Sequence, residues 1–188
     1  MITLTCENEI TVTVNMTYEE LIVFLIKKGF KEVSDFTLED IYLVEGNCDL
    51  KGKTLDILKK CVLVRNRDNN YFSLVYKYKE YDDNENIISQ RKSSVNIDNI
   101  NDGINYMKAI GYKELIKVFD QVNEYEKDGL NIYIERVNNK YLFIEIEANK
   151  KNNTIKKLIN VLDKTGIDYD KSNYFVKKAK IIFEEEYR

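Results

Sequence analysis

The chain has 188 residues, 32% of them charged, yet its net charge is only −3. Acids and bases so nearly balanced argue against a nucleic-acid partner held by bulk positive charge. The absence of histidine removes imidazole from both catalysis and metal ligation, so any metal would be held by oxygen, as Mg²⁺, Mn²⁺ and Ca²⁺ are. No apolar run approaches the ~20 residues of a membrane span, and the start MITLTCENE lacks the parts of a signal peptide. Cys6, Cys48 and Cys61 are odd in number and lack metal-ligand spacing, which reads as reduced thiols in a cytoplasmic protein.

Taken in chain order, EITVTV predicts a strand and TYEELIVFLIKKGF a helix, with Thr17 as N-cap, Glu19 and Glu20 in the first turn and Gly29 as the left-handed stop. A further segment begins at KEV, and TLDILKK predicts a short helix near 54–60. CVLVRNR and YFSLVYKYK flank the polar turn Asp68-Asn69-Asn70, and an acidic turn around 82–86 leads into ISQRKSSVNI. NINDGINYMKAIGY is a second helix stopped by Gly111, followed by the strand ELIKVFDQV. Asp128-Gly129 and Asn138-Asn139 are hairpin turns around LNIYIERV, and LFIEIEA leads to a helix stopped by Gly166. A final helix is expected at about 171–186. The strand, helix, glycine signal recurs three times, too widely spaced for a solenoid. These elements predict one domain over 1–188 of α+β class. Its antiparallel sheet of about eight strands would be closed or nearly closed into a barrel, with helices packed outside.

Side chains alternate faces along a strand. With the aliphatics turned towards the helices, the other face carries Glu7, Glu9 and Thr11, then Arg65 and Arg67, Lys77 and Lys79, Lys92 and Ser94, and Lys117, Phe119 and Gln121. Asn131, Tyr133 and Glu135 follow, then Phe143, Glu145 and Glu147. On one strand such charges are ordinary solvated surface. If the sheet closes they line an interior, where charge persists only when paired, hydrated or bound to a ligand. Clustered carboxylates suit a hard divalent cation, and converging Arg and Lys suit a polyphosphate.

Those residues resemble the CYTH family, the triphosphate tunnel metalloenzymes, which include class IV adenylyl cyclases and thiamine triphosphatases. Glu7-x-Glu9-x-Thr11 is similar to the family's opening Glu-x-Glu-x-Lys strand, and Val62 to Arg67 to its Leu-Arg-Ile-Arg strand. Leu74-Val75-Tyr76-Lys77 resembles Leu-Thr-Tyr-Lys, and Glu135, Val137, Phe143, Glu145 and Glu147 match the late acidic signature in spacing. The resemblance runs from about residue 3 to 175, with Ser172-Asn173-Tyr174 near its end. It implies a closed antiparallel barrel whose tunnel binds triphosphate, with glutamates holding Mg²⁺ or Mn²⁺. Four departures accompany it. The motif lysine is Thr11, the basic Lys-x-Arg strand reads Phe119-Asp120-Gln121, the Gly-Leu-Gly turn reads Asn139-Lys140-Tyr141, and the strand near Arg91 lacks Glu-x-Glu. Each missing charged hydrogen bond should weaken triphosphate binding by about 1.5–3 kcal/mol.

The resemblance therefore implies a metal-dependent phosphohydrolase acting on tripolyphosphate, thiamine triphosphate or a nucleoside triphosphate. Glu7, Glu9, Glu145 and Glu147 would hold the metal, and Glu135 would orient water or serve a second metal. Arg65, Arg67 and Lys77 would hold phosphates, with Lys92 or Lys117 replacing a missing cation. The alternative is a catalytically impaired triphosphate-binding or nucleotide-binding module, and a class IV-type adenylyl cyclase is the third reading. The expected partner is a small triphosphate compound, with neither nucleic acid nor membrane. Homodimerisation through an exposed strand or the C-terminal helix is compatible with the sequence.

Overall fold

The computed structural model describes residues 3–6, 8–83 and 85–188. The chain divides into two compact units. The first comprises Met1–Cys6, Thr37–Phe119 and Lys177–Arg188, and the second Glu7–Phe36 and Asp120–Val176, so the two interleave along the sequence. Two long strands, β3 (Lys31–Glu45) and β7 (Tyr112–Lys127), contribute to both. The class is α+β, and every strand pairing whose register is described is antiparallel.

In the second unit the strand order runs β7, β8 (Leu130–Val137), β9 (Tyr141–Glu147), β2 (Glu9–Thr13). Helices α1 (Tyr18–Lys27) and α4 (Ile155–Thr165) cover one face. Helix α1 starts as its sequence predicts: Thr17 accepts from the Glu20 N–H at 3.2 Å, and the Glu20 carboxylate accepts the Thr17 N–H at 2.8 Å. Helix α4 ends at Gly166, whose φ of +78° is the left-handed cap that glycine adopts without strain. Leu21, Leu25, Leu158 and Leu162 bury against Ile10, Val12, Ile132, Ile134, Ile144 and Ile146. The aliphatic side of these strands thus faces helices, as the alternation predicts.

The first unit orders β1 (Thr3–Cys6), β6 (Ile87–Ile97), β5 (Tyr71–Tyr81), β4 (Val62–Arg67), β3. Helix α3 (Ile100–Ala109) packs Met107, Ile100 and Ile104 on Ile41, Leu43, Val64 and Leu74. The short α2 (Thr54–Leu58) and the C-terminal α5 (Lys178–Tyr187) meet through a Thr54 to Glu184 hydrogen bond. The hairpins turn at residue pairs with positive φ: Asp68-Asn69 (54° and 56°), Asp128-Gly129 (54° and 80°) and Asn138-Asn139 (49° and 55°). Asn, Asp and Gly tolerate that conformation, and its twist matches the flanking strands.

One element differs from expectation: helix α5 begins at Lys178, seven residues later than 171. Residues 168–176 spend their backbone hydrogen bonds along β2, where Asp168 and Tyr174 accept from Asn15 and Thr11 (3.0 and 3.1 Å) while Asp170 and Val176 donate to Thr13 and Thr11 (2.9 and 3.0 Å).

Candidate functional site

In the second unit, register brings the predicted acids together. Glu9 lies opposite Glu147, and Thr11 opposite Glu145. Because β2 and β9 are directly paired and both alternate, these residues share one sheet face. Oxygens of Glu9, Glu145 and Glu147 all lie within 4.8 Å of one another. Among the described residues, this acidic cluster has the donor set for a hard cation. Glu7 lies outside the described residues.

The same face continues inward along β8. Glu145 lies opposite Tyr133, and Phe143 opposite Glu135. Glu135 is buried, 3% exposed, on a face that also carries the buried Phe143 and Val122. Burial together with the neighbouring Glu147 charge raises the Tyr133 phenol to about 12. Glu124, opposite Tyr133, accepts from Ser34 at 2.7 Å and Asn131 at 2.7 Å. The buried Thr11 donates to a Glu145 carboxylate oxygen at 3.2 Å.

The phase expected for β7 needs correction. Gln121 lies opposite Arg136, whereas Val122 and Glu124 lie opposite Glu135 and Tyr133. In the second unit Asp120, Val122 and Glu124 therefore share the carboxylate face, and Gln121 takes the other side. The run LIKVF is apolar at both parities, so alternation alone could not choose between them.

In the first unit the predicted cations also share a face. Arg65 lies opposite Asp40 on β3 and Ser73 on β5. Lys77, two steps of alternation from Ser73, lies opposite Lys92. Arg67 is half exposed and 3.7 Å from Asp68, while Arg65 is largely buried. Lys117, on the part of β7 in this unit, is exposed. Thus Arg65, Arg67, Lys77 and Lys92 share one face of the β4-β5-β6 sheet, spread along the strands, with Lys77 and Lys92 directly opposite each other.

Three residues that the sequence did not single out belong with them. Asp40 accepts from Arg65 Nε at 2.7 Å and Nη2 at 2.6 Å. Burial opposes ionisation of Asp40, but the Arg65 hydrogen bonds and charge, helped by Lys77 and Lys178, hold its carboxyl below the usual range. Tyr42, two residues on, has its phenol pushed well up by burial and by the Asp40 charge. Lys178 comes from α5, a helix, which strand alternation cannot reveal.

No protein-family model matches the sequence, and no curated protein matches it. Solved structures do. A candidate adenylate cyclase from Vibrio parahaemolyticus is similar at a TM-score of 0.67 and 11% identity, covering 96% of this chain and 98% of its own. HpAC1 from Hippeastrum, a candidate adenylyl cyclase described as having a dominant triphosphatase activity, gives 0.65 at 14% identity, with 96% of both chains covered. The fold is CYTH-like. A component of the Schizosaccharomyces pombe Mediator head module also matches, at a TM-score of 0.55 and 8% identity over 88% of this chain and 98% of that one. A CYTH-like fold does not by itself fix an activity. No helix among the described residues is long and apolar enough to cross a membrane.

Proposed function

We propose that this chain is a metal-dependent phosphohydrolase acting on a triphosphate group, with tripolyphosphate, thiamine triphosphate and nucleoside triphosphates as the candidate substrates. The observation that carries the reading is the sorting of charge by sheet face. In the second unit Glu9, Glu145 and Glu147 cluster on one sheet face, and in the first unit Arg65, Arg67, Lys77 and Lys92 share a sheet face. Three carboxylate oxygens within 4.8 Å fit a hard divalent cation. Glu9, Glu145 and Glu147, with Glu7, would hold Mg²⁺ or Mn²⁺, which when bound neutralises phosphate oxygens and makes phosphorus more electrophilic.

The chain's own side chains supply the remaining chemistry. Arg65 and Arg67 offer planar forks that match phosphate oxygens, and Lys77, Lys92 and Lys117 act as point charges. Glu135, buried and opposite Phe143 and Val122 in the strand register, would orient an attacking water and take its proton, or serve a second metal. The triphosphatase activity of HpAC1 supports the reading by fold analogy. Free Cys48 and Cys61 suit a reducing compartment such as the cytoplasm, and the proposed partner is a small triphosphate compound rather than nucleic acid or membrane.

Thr11 favours a second reading. Its hydroxyl serves Glu145 where the family's lysine would supply a cation, so the same site could capture a triphosphate or nucleotide without turning it over. Cyclisation of ATP ranks third, since it requires a purine pocket and an activated ribose hydroxyl. The deciding experiment measures phosphate release from tripolyphosphate, thiamine triphosphate and ATP with Mg²⁺ and then Mn²⁺. Metal-dependent release that collapses in Glu145→Gln supports the hydrolase. Thermal stabilisation by the same compounds without release supports the binding module, and neither response sinks both.

A further inference from the structure

Asp40 sits on a face otherwise supplied with cations, and it is only 8% exposed. Its two carboxylate oxygens take Arg65 by Nε and Nη2 at 2.7 and 2.6 Å. Two parallel bonds to one edge of a guanidinium fix both its plane and its heading, which a single bond does not. The Arg65 hydrogen bonds and charge are the main influences holding Asp40 ionised, with Lys77 and Lys178 acting on it more weakly.

A buried ion pair is weak grounds for a role in stability, because desolvation offsets much of its attraction. Its value here lies in direction. An untethered arginine is a mobile cation that meets any anion, whereas a clamped one offers its donors at one fixed place. Resting on the phosphohydrolase reading above, we infer that Asp40 is a positioning residue. It orients Arg65 so that the basic face distinguishes phosphate chains by where their oxygens fall rather than by total charge.

Isothermal titration with orthophosphate, pyrophosphate and tripolyphosphate at fixed Mg²⁺ tests this, with thermal midpoints recorded alongside. The quantity of interest is the ratio of the orthophosphate Kd to the tripolyphosphate Kd. In Asp40→Asn that ratio is expected to fall about tenfold, the worth of one well-aimed charged hydrogen bond. Asp40→Glu keeps the charge but moves the carboxylate outward by one methylene, and where its thermal midpoint shows it folded it should lower the ratio as well. Gly166→Ala, in the other unit, serves as a purely destabilising control that lowers the midpoint and leaves the ratio alone. An unchanged ratio in Asp40→Glu, or in folded Asp40→Asn, overturns the inference while leaving the phosphohydrolase reading standing. Wild-type protein that binds none of the three anions overturns both.

Discussion

Replacing Glu145 by glutamine removes one charge from three carboxylates whose oxygens lie within 4.8 Å of one another. At that distance and an effective dielectric constant of 20, each pair of unit charges repels by about 3.5 kcal/mol. Glu145 takes part in two such pairs, a formal total of about 7 kcal/mol. Glu147 is exposed and the others half-buried, so solvent and salt should reduce this to about 1–2 kcal/mol. The amide oxygen of glutamine still accepts from Thr11, so little else is lost. Without metal, Glu145→Gln should therefore be more stable than the wild type. With Mn²⁺ at about one hundred times its Kd, the wild type should gain about 2.7 kcal/mol by mass action, and the variant little. The two stability orders cross. Urea unfolding in EDTA and in MnCl₂ measures all four values. A variant less stable than the wild type in EDTA, and stabilised equally by Mn²⁺, would refute the clustering argument and the metal assignment together.

Other perturbations probe separate parts of the molecule. Thr11→Lys puts an ammonium beside Glu145, so tripolyphosphate affinity should rise and Mn²⁺ affinity fall, each by about tenfold, and calorimetry that finds neither change rejects the placement of Thr11. Gly166→Ala forces a Cβ onto a φ of +78° and should cost about 1 kcal/mol in urea unfolding; an equally stable variant would mean the turn has another way to close. Asp40 is held below its unfolded value, so its contribution is present above about pH 4 and is lost as pH falls through the lower folded value. Unfolding free energy should then decline more steeply below pH 4 in the wild type than in Asp40→Asn, and parallel acid limbs would contradict that. The Cys61 thiol is buried and raised to about 12, so alkylation mapped by mass spectrometry at pH 8 should mark Cys48 well before Cys61, and the reverse order would place Cys61 at the surface.

What could be read from the sequence was whatever is decided locally. Thr17 and Glu20 cap their own helix, and Asn138-Asn139 selects its own turn, so neighbours in sequence suffice. Glu145 and Glu147 could be assigned to one face because β9 alternates cleanly, with Leu142, Ile144 and Ile146 on the other. The same logic fails on β3, where Glu39 and Asp40 put charge at both parities and conceal the partner of Arg65. It fails again on β7, whose apolar run fits either phase. The late start of α5 depends on backbone bonds between residues some 160 positions apart in the chain (Thr11 with Tyr174 and Val176), which leave no side-chain pattern to read.

Residues 168–176 also change what kind of strand β2 is. In the strand order it is terminal, and a terminal strand normally exposes a row of open amides on which another chain can add. Here both the N–H and the C=O of Thr11 are taken on the side away from β9, by Tyr174 and Val176. The strand that carries Glu9 is thereby shielded from intermolecular zippering, and its amides should exchange with deuterium as slowly as those of an interior strand. Acidic residues gathered on an open edge would be exposed to fraying. Paired with β9 on one edge and bonded to residues 168–176 through Thr11 and Thr13 on the other, β2 keeps its register against Glu145 and Glu147 whether or not a cation is present.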